Sequence, residues 1–315
     1  MRWTGKIRFM LLAPAVIWVL AFTVFPLGYS LYLAFYKIEQ KVEVTRVKEP
    51  ILDAEGKPVL DDQGQPRIKT VVKKDQVNIA TFIGIDNFKR LFGDPQVGEA
   101  IRVTALFVLI AVPLELIFGF LLAVLFNQHI FGRPVLRAIM ILPIFATPLA
   151  VGYTFFTIFY EVGGPLAWTG IPFLSSPNGA LASVILVDVW QWTPFCFLVF
   201  LAGLQGVPDE LYEAARVDGA SPWDMLKEVM LPLLVPTIII VLLLRLAESL
   251  KLFDIPFSMT GGGPGVATQP FSLLAFRTGL RFFDLGYASA MAYALLIVVM
   301  IIITLFFRRM RFSYE

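Results

Sequence analysis

Asp188, Gln191 and Trp192 stand at i, i+3 and i+4 inside an otherwise apolar stretch, so a helix would bring all three to one face. A carboxylate, an amide and an aromatic plane supply acceptors, donors and a stacking surface, the groups that a hydroxyl-rich ligand requires. A second set, Arg245, Glu248, Lys251 and Asp254, lies in another apolar run, and Glu115 in a third. An ionisable side chain near the middle of a bilayer costs roughly 2.5–3.5 kcal/mol, so each needs a reason. Arg245 with Glu248, or Glu248 with Lys251, would neutralise each other as local pairs; alternatively the set lines a water-filled path. Glu115 follows Pro113 and is expected to hydrogen-bond backbone that the proline frees.

These residues need a scaffold, and composition says which solvent it meets. The chain has 315 residues, 57% of them hydrophobic, with a mean hydropathy of +0.75. A water-soluble domain has nowhere to bury that much apolar side chain, so lipid is the expected surroundings. One cysteine, Cys196, excludes an internal disulfide, and one histidine, His129, leaves no Cys/His metal cluster. Neither His-Glu-x-x-His nor Gly-x-Ser-x-Gly occurs, which disfavours an intramembrane hydrolase. A net charge of +2 gives no ground for a nucleic-acid partner. "TGGGPG" (Thr260 to Gly265) lacks the Gly-Lys-Ser/Thr ending of a phosphate-binding loop and reads as a turn.

A helix needs about 20 apolar residues to cross the hydrocarbon core. Six runs qualify, approximately Phe9 to Phe35, Ile101 to Phe126, Val135 to Phe159, Ala180 to Leu204, Leu233 to Phe257 and Tyr287 to Phe307. They are continuous rather than alternating, which argues against a strand barrel. The first run is too long for a secretory signal and no small-residue cleavage site follows it, so a retained anchor is expected. Arg2, Lys6 and Arg8, then Arg133 and Arg137, then Arg308, Arg309 and Arg311 fall on one side of six spans. The excess of basic residues puts both termini in the cytoplasm. Residues 1–36 are then the N-terminus with the first span, 37–98 an external insertion, 99–307 a five-span core, and 308–315 a basic tail. In the insertion "KVEVTRV" and "RIKTVVKK" alternate as strands do, with turn signals around Gly56-Lys57-Pro58 and Gly64-Gln65-Pro66 between them. A small β-hairpin is predicted there.

One polar stretch, residues 207–232, interrupts the core. Asp209 is read as the N-cap of a helix that carries Glu210, Glu213 and Arg216 on one face and Leu211, Ala214 and Ala215 on the other. Gly219 falls where a helix would end in the left-handed conformation. Ser221, Pro222 and Asp224 spell the start of a second helix, and Pro232 is expected to end this unit before the next span. A flexible loop requires none of these signals. The sum is a rigid acidic helix-turn-helix, a docking surface for a cytoplasmic protein rather than a lipid-binding helix.

Glu213-Ala214-Ala215, Gly219 and Val229-Met230-Leu231-Pro232 resemble the EAA loop of ABC importer permease subunits, with valine at 229 where isoleucine is usual. "FIGIDNFKRLFGDP", "VWQWTPFCFLVFLAGLQGVPDELYEAARVDGAS", "FDIPFSMTGGGPG" and "LGYASAMAY" are similar to the carbohydrate-uptake branch, of the maltose, trehalose and glycerol-3-phosphate type, first permease subunit. Arg102-Val103-Thr104 departs from that branch's common Asn-Thr.

The resemblance implies an all-α integral membrane protein with about six transmembrane helices in the type I ABC importer fold, and a small external β-rich insertion. It implies a permease that is half of a translocation pathway in a bacterial plasma membrane, and not itself an enzyme. Its implied partners are a second homologous permease, two ABC ATPases that bind ATP and magnesium, an extracytoplasmic sugar-binding protein, carbohydrate and lipid. No cofactor is then bound by this chain. By the same resemblance Glu213, Ala214, Ala215, Asp218, Gly219, Leu231 and Pro232 couple to the ATPase. Asp188, Gln191, Trp192, Glu248, Ser249 and Phe253 are placed on the substrate pathway. The competing expectation is an ion-coupled secondary transporter, which would show inverted repeats and broken helices and would leave the polar helix-turn-helix without a task.

Overall fold

The computed structural model describes residues 5–50, 68–128 and 130–311. Helix α1 (Met10–Ala34) is followed by strands β1 (Tyr36–Pro50) and β2 (Ile68–Phe82) and by helices α2 (Asp86–Gly93) and α3 (Pro95–Asn127). Next come α4 (Arg133–Phe145), α5 (Pro148–Phe159), α6 (Pro177–Gln205), α7 (Asp209–Val217) and α8 (Pro222–Ser249). The short helices α9 (Asp254–Met259) and α10 (Phe271–Phe276) precede α11 (Leu285–Arg311). Five helices, α1, α3, α6, α8 and α11, are long and apolar enough to cross a membrane, and α4 with α5 makes a sixth candidate.

The chain divides into two compact units, residues 1–90 with 278–290, and residues 91–277 with 291–315. In the first, β1 and β2 form the predicted antiparallel hairpin, in register from Tyr36 opposite Phe82 to Pro50 opposite Ile68. The turn signals around Gly56 and Gly64 lie outside the described residues. Asn87 anchors the base of the hairpin by donating Nδ2 to the Ala34 carbonyl at 2.9 Å and the Tyr36 carbonyl at 3.1 Å. Arg90 pairs with Asp284 at 2.7 Å and lies over the Tyr287 ring at 3.8 Å.

In the second unit α3 and α6 form the central pair. Lipid tails are as apolar as leucine, so close packing rather than water exclusion holds such helices together, and small residues permit it. Gly119 of α3 faces Cys196 of α6 so closely that an added Cβ would collide with the Cys196 side chain and lie 2.9 Å from the Phe197 nitrogen. Around this contact Phe126 meets Phe197 and Phe120 meets Phe200, both edge to face, with ring centroids 5.2 and 5.9 Å apart. Phe107, Val108, Ala111 and Val112 of α3 pack with Val184, Ile185 and Val187 of α6 at the other end.

Prolines account for the departures from straight spans. The expected third span is two helices, α4 and α5, bent by 98°. Ala146 and Thr147 between them are extended, as the residue before Pro148 must be. The expected fifth span stops at Ser249 rather than Phe257; Asp254 to Met259 form a separate helix. Pro232 does not end the polar unit. The helix runs through it from Pro222 to Ser249, because the turn Met225–Met230 widens to π geometry and relieves the clash that the ring would make with the preceding turn. The same device, Leu20–Val24, precedes Pro26 in α1.

The close approach at Gly119 predicts that Gly119→Leu pushes α3 from α6 and destabilises the fold by about 1–3 kcal/mol. Thermal denaturation in detergent should show a lower midpoint. Gly98→Leu, on the same helix where a side chain meets nothing within 4 Å, should leave that midpoint unchanged.

Candidate functional site

Glu115 of α3, Asp188 of α6 and Arg245 of α8 meet inside the second unit, each 3% exposed or less. Arg245 donates Nε to Glu115 Oε2 at 2.5 Å and one Nη to Glu115 Oε1 at 2.8 Å, a bidentate fork. The same Nη reaches Asp188 Oδ2 at 3.0 Å and Ser249 Oγ at 3.2 Å. The guanidinium carbon lies 4.6 Å from the centre of the Trp192 ring, so the aromatic face takes its open side. Three spans are thereby joined by one side chain.

This arrangement replaces both local pairings foreseen for Arg245 and Glu115. Arg245 bonds across 130 residues of sequence to Glu115 rather than to Glu248. Glu115 accepts from the guanidinium and is not engaged with the backbone that Pro113 frees. Glu248 does pair with Lys251, at 2.9 Å on an exposed face. The signal for Arg245 was present in the sequence as a permanently charged side chain within an apolar run. Its partners were not, since they sit on other helices.

Beside the cluster opens a cleft of 80 Å³ lined by Asp188, Trp192, Arg245, Glu248, Ser249 and Phe253, with Lys251 and Asp254 at its rim. Five of the six residues expected on a pathway therefore come together there. Gln191 does not. It is buried and donates Nε2 to the Ala146 carbonyl at 2.8 Å. That carbonyl is released at the α4–α5 bend, and inside a bilayer only protein can satisfy it.

The polar helix-turn-helix is built as its signals required, with one shift: Pro208, not Asp209, occupies the N-cap of α7. Gly219 has φ +80°. Its N–H donates to the Arg216 carbonyl at 3.1 Å, and the Ala220 N–H to the Ala215 carbonyl at 3.0 Å. These two bonds are a Schellman motif, which explains a glycine four residues after Ala215. Ser221 Oγ accepts from the Asp224 N–H at 3.2 Å, while Asp224 Oδ2 accepts from the Ser221 N–H at 3.0 Å. Bonding to Ser221, side chain first and backbone second, holds the exposed Asp224 carboxyl below its usual range.

On this elbow Glu213, Ala214, Asp218 and Pro232 are exposed and Ala215 and Leu231 half-buried. Two residues that sequence reasoning passed over complete the surface. Val217 is 87% and Trp223 68% exposed, an apolar pair held out at the turn. Behind α7 lies a polar cavity of 730 Å³ whose lining includes Asn127, Tyr212, Glu213 and Arg216. Burial, then the charge of Asp209, raises the Tyr212 hydroxyl above its ordinary value. Among the described residues no cluster of His, Cys, Asp and Glu side chains is arranged to hold a metal.

A family model described as binding-protein-dependent transport system inner membrane component matches residues 115–312, which begin at Glu115 and contain both the cluster and the elbow. The chain is 37% identical over 230 residues to the trehalose/maltose transport system permease protein MalF of Thermococcus litoralis, covering 70% of this chain and 76% of that one. It is 38% identical over 240 residues to the sulfoquinovosyl glycerol transport system permease protein SmoG of Agrobacterium fabrum, covering 74% and 78%. Its fold is similar to a chain of a bacterial ABC transporter involved in the import of the acidic polysaccharide alginate. There the TM-score is 0.76 at 24% identity, over 98% of this chain and 96% of that chain.

Removing one member of a buried ionic cluster strands the others. Arg245→Met is expected to cost about 3–5 kcal/mol, because Glu115 and Asp188 lose their counter-charge. Adding Glu115→Gln to it should restore part of that loss. A thermal denaturation cycle of the two single variants and the double variant measures the coupling; additive losses would show that the two residues do not act together.

Proposed function

This chain belongs to the family of binding-protein-dependent transport system inner membrane components, and we propose that it forms half of the pathway of an ATP-driven carbohydrate importer. It is a membrane-spanning transport subunit of the type I ABC importer fold, not an enzyme. The carbohydrate assignment follows the relatives named for trehalose, maltose and sulfoquinovosyl glycerol. A cleft that pairs an aromatic plane with carboxylate and hydroxyl groups supports it. A second homologous permease would supply the other half, and an extracytoplasmic binding protein would deliver the solute. Two ATPase subunits would bind ATP and magnesium.

The elbow is the observation that carries the coupling role. A Schellman turn and a capping box back to back fix the angle between α7 and α8 without help from the rest of the chain. Such an elbow transmits a push where a loop would absorb it. Val217 and Trp223, at its tip, supply the apolar anchors that a protein partner covers. The basic flanks support a reading in which the elbow and both termini face the cytoplasmic side of a bacterial plasma membrane. Closure of the ATPases on ATP would move the two elbows, and the spans would exchange inward- and outward-facing arrangements through contacts that differ between the two states. An ion-coupled transporter has no use for this elbow.

Gly219→Val tests the coupling. A β-branched residue is strained at φ +80°, by roughly 1–2 kcal/mol or more, and would open the turn. Uptake driven by ATP in reconstituted vesicles should fall about tenfold or more, with membrane insertion unchanged. Normal uptake by this variant would remove the elbow from the coupling path.

A further inference from the structure

An arginine in a solute cleft ordinarily invites an anion, because its planar fork matches carboxylate and phosphate. Here the fork is taken. Nε and Nη2 of Arg245 hold Glu115, and Nη2 also serves Asp188 and Ser249. Only Nη1 donates to no group among the described residues, and the side chain that carries it is 2% exposed and lines the cleft. Glu248 and Lys251 neutralise each other at the rim. Asp254, exposed on the same rim, has no cation against it among the described residues.

Three carboxyl groups, Asp188, Glu248 and Asp254, line the cleft against two cations, Arg245 and Lys251, an acidic excess to which Glu115, bonded behind Arg245, adds. A charge brought into a narrow low-dielectric cleft feels that excess more strongly than it would in water. We propose that the cleft selects neutral, hydroxyl-rich solutes and rejects anionic sugars such as uronates and sugar phosphates. Arg245 Nη1 meets a single hydroxyl beside the Trp192 ring, and Asp254 sets the rejection. The cleft's 80 Å³ is well below the roughly 300 Å³ of a complete small-molecule site. It holds one hydroxyl edge of a ring, and the rest of the solute lies outside it. This inference rests on the carbohydrate reading and adds the sign of charge.

The test uses the complete transporter in detergent without its binding protein, so that delivery does not impose its own selectivity. Scintillation-proximity binding compares matched probes: trehalose with trehalose 6-phosphate, and glucose with glucuronate. The neutral member of each pair that binds should do so about tenfold more tightly or better. Asp254→Asn should shrink that ratio several-fold, and so should raising the salt, a response that a purely structural residue would not give. Equal or tighter binding of the charged member overturns the proposal. A ratio that ignores both Asp254→Asn and salt overturns the assignment to Asp254. If no sugar binds to a complex that still hydrolyses ATP, the carbohydrate reading itself falls, and this inference with it.

Discussion

Arg245 is permanently charged, and nothing in a hydrocarbon layer accepts a bare guanidinium. Everything around it answers that constraint. Glu115 and Asp188 come from two other spans, Ser249 lies one turn along the same helix, and the Trp192 face covers what remains. Desolvating three such groups costs several kcal/mol each, so the cluster is weak evidence for added stability. It fixes position instead. Three helices that could slide past one another in lipid are pinned at one point, and the cleft opens directly beside that pin.

Around the pin the packing follows the rules of a solvent that does not drive helices together. Gly119 against Cys196 brings two backbones close, and edge-to-face aromatic pairs fill the flanks. Where proline interrupts a helix, the freed backbone is either avoided or repaired. The π turns before Pro26 and Pro232 avoid the clash. The Gln191 amide repairs the carbonyl at the α4–α5 bend. A glutamine that sequence reasoning assigned to a solute path thus has a backbone duty, one that a bilayer makes obligatory.

The elbow works by different physics, because its stiffness is local. Each of its bonds joins residues within five positions of one another, from Ala220 back to Ala215 and from Ser221 on to Asp224. Its shape is set by these near-neighbour bonds, and α8 continues from it without a break. At the other end α8 carries Arg245, and with it the pinned cluster. One continuous helix, widened once to pass Pro232, links the elbow with the cleft beside Arg245.

What the sequence by itself determined was whatever depends on near neighbours. The apolar runs declared the spans, alternation declared the hairpin, and Gly219, Ser221 and Asp224 declared the elbow, because periodicity and capping act over a few residues. Proline effects were legible as signals but not in outcome. Pro232 read as a terminator and proved passable, since a wider turn was available to absorb it. The ion cluster lay beyond reach for a plainer reason. Arg245 has an acidic neighbour at Glu248, and local reasoning paired the two. Only the folded chain brings Glu115, 130 residues away, to within 2.5 Å. A charge in lipid takes the partner that desolvates with it, and packing, not spacing in the chain, decides which partner that is.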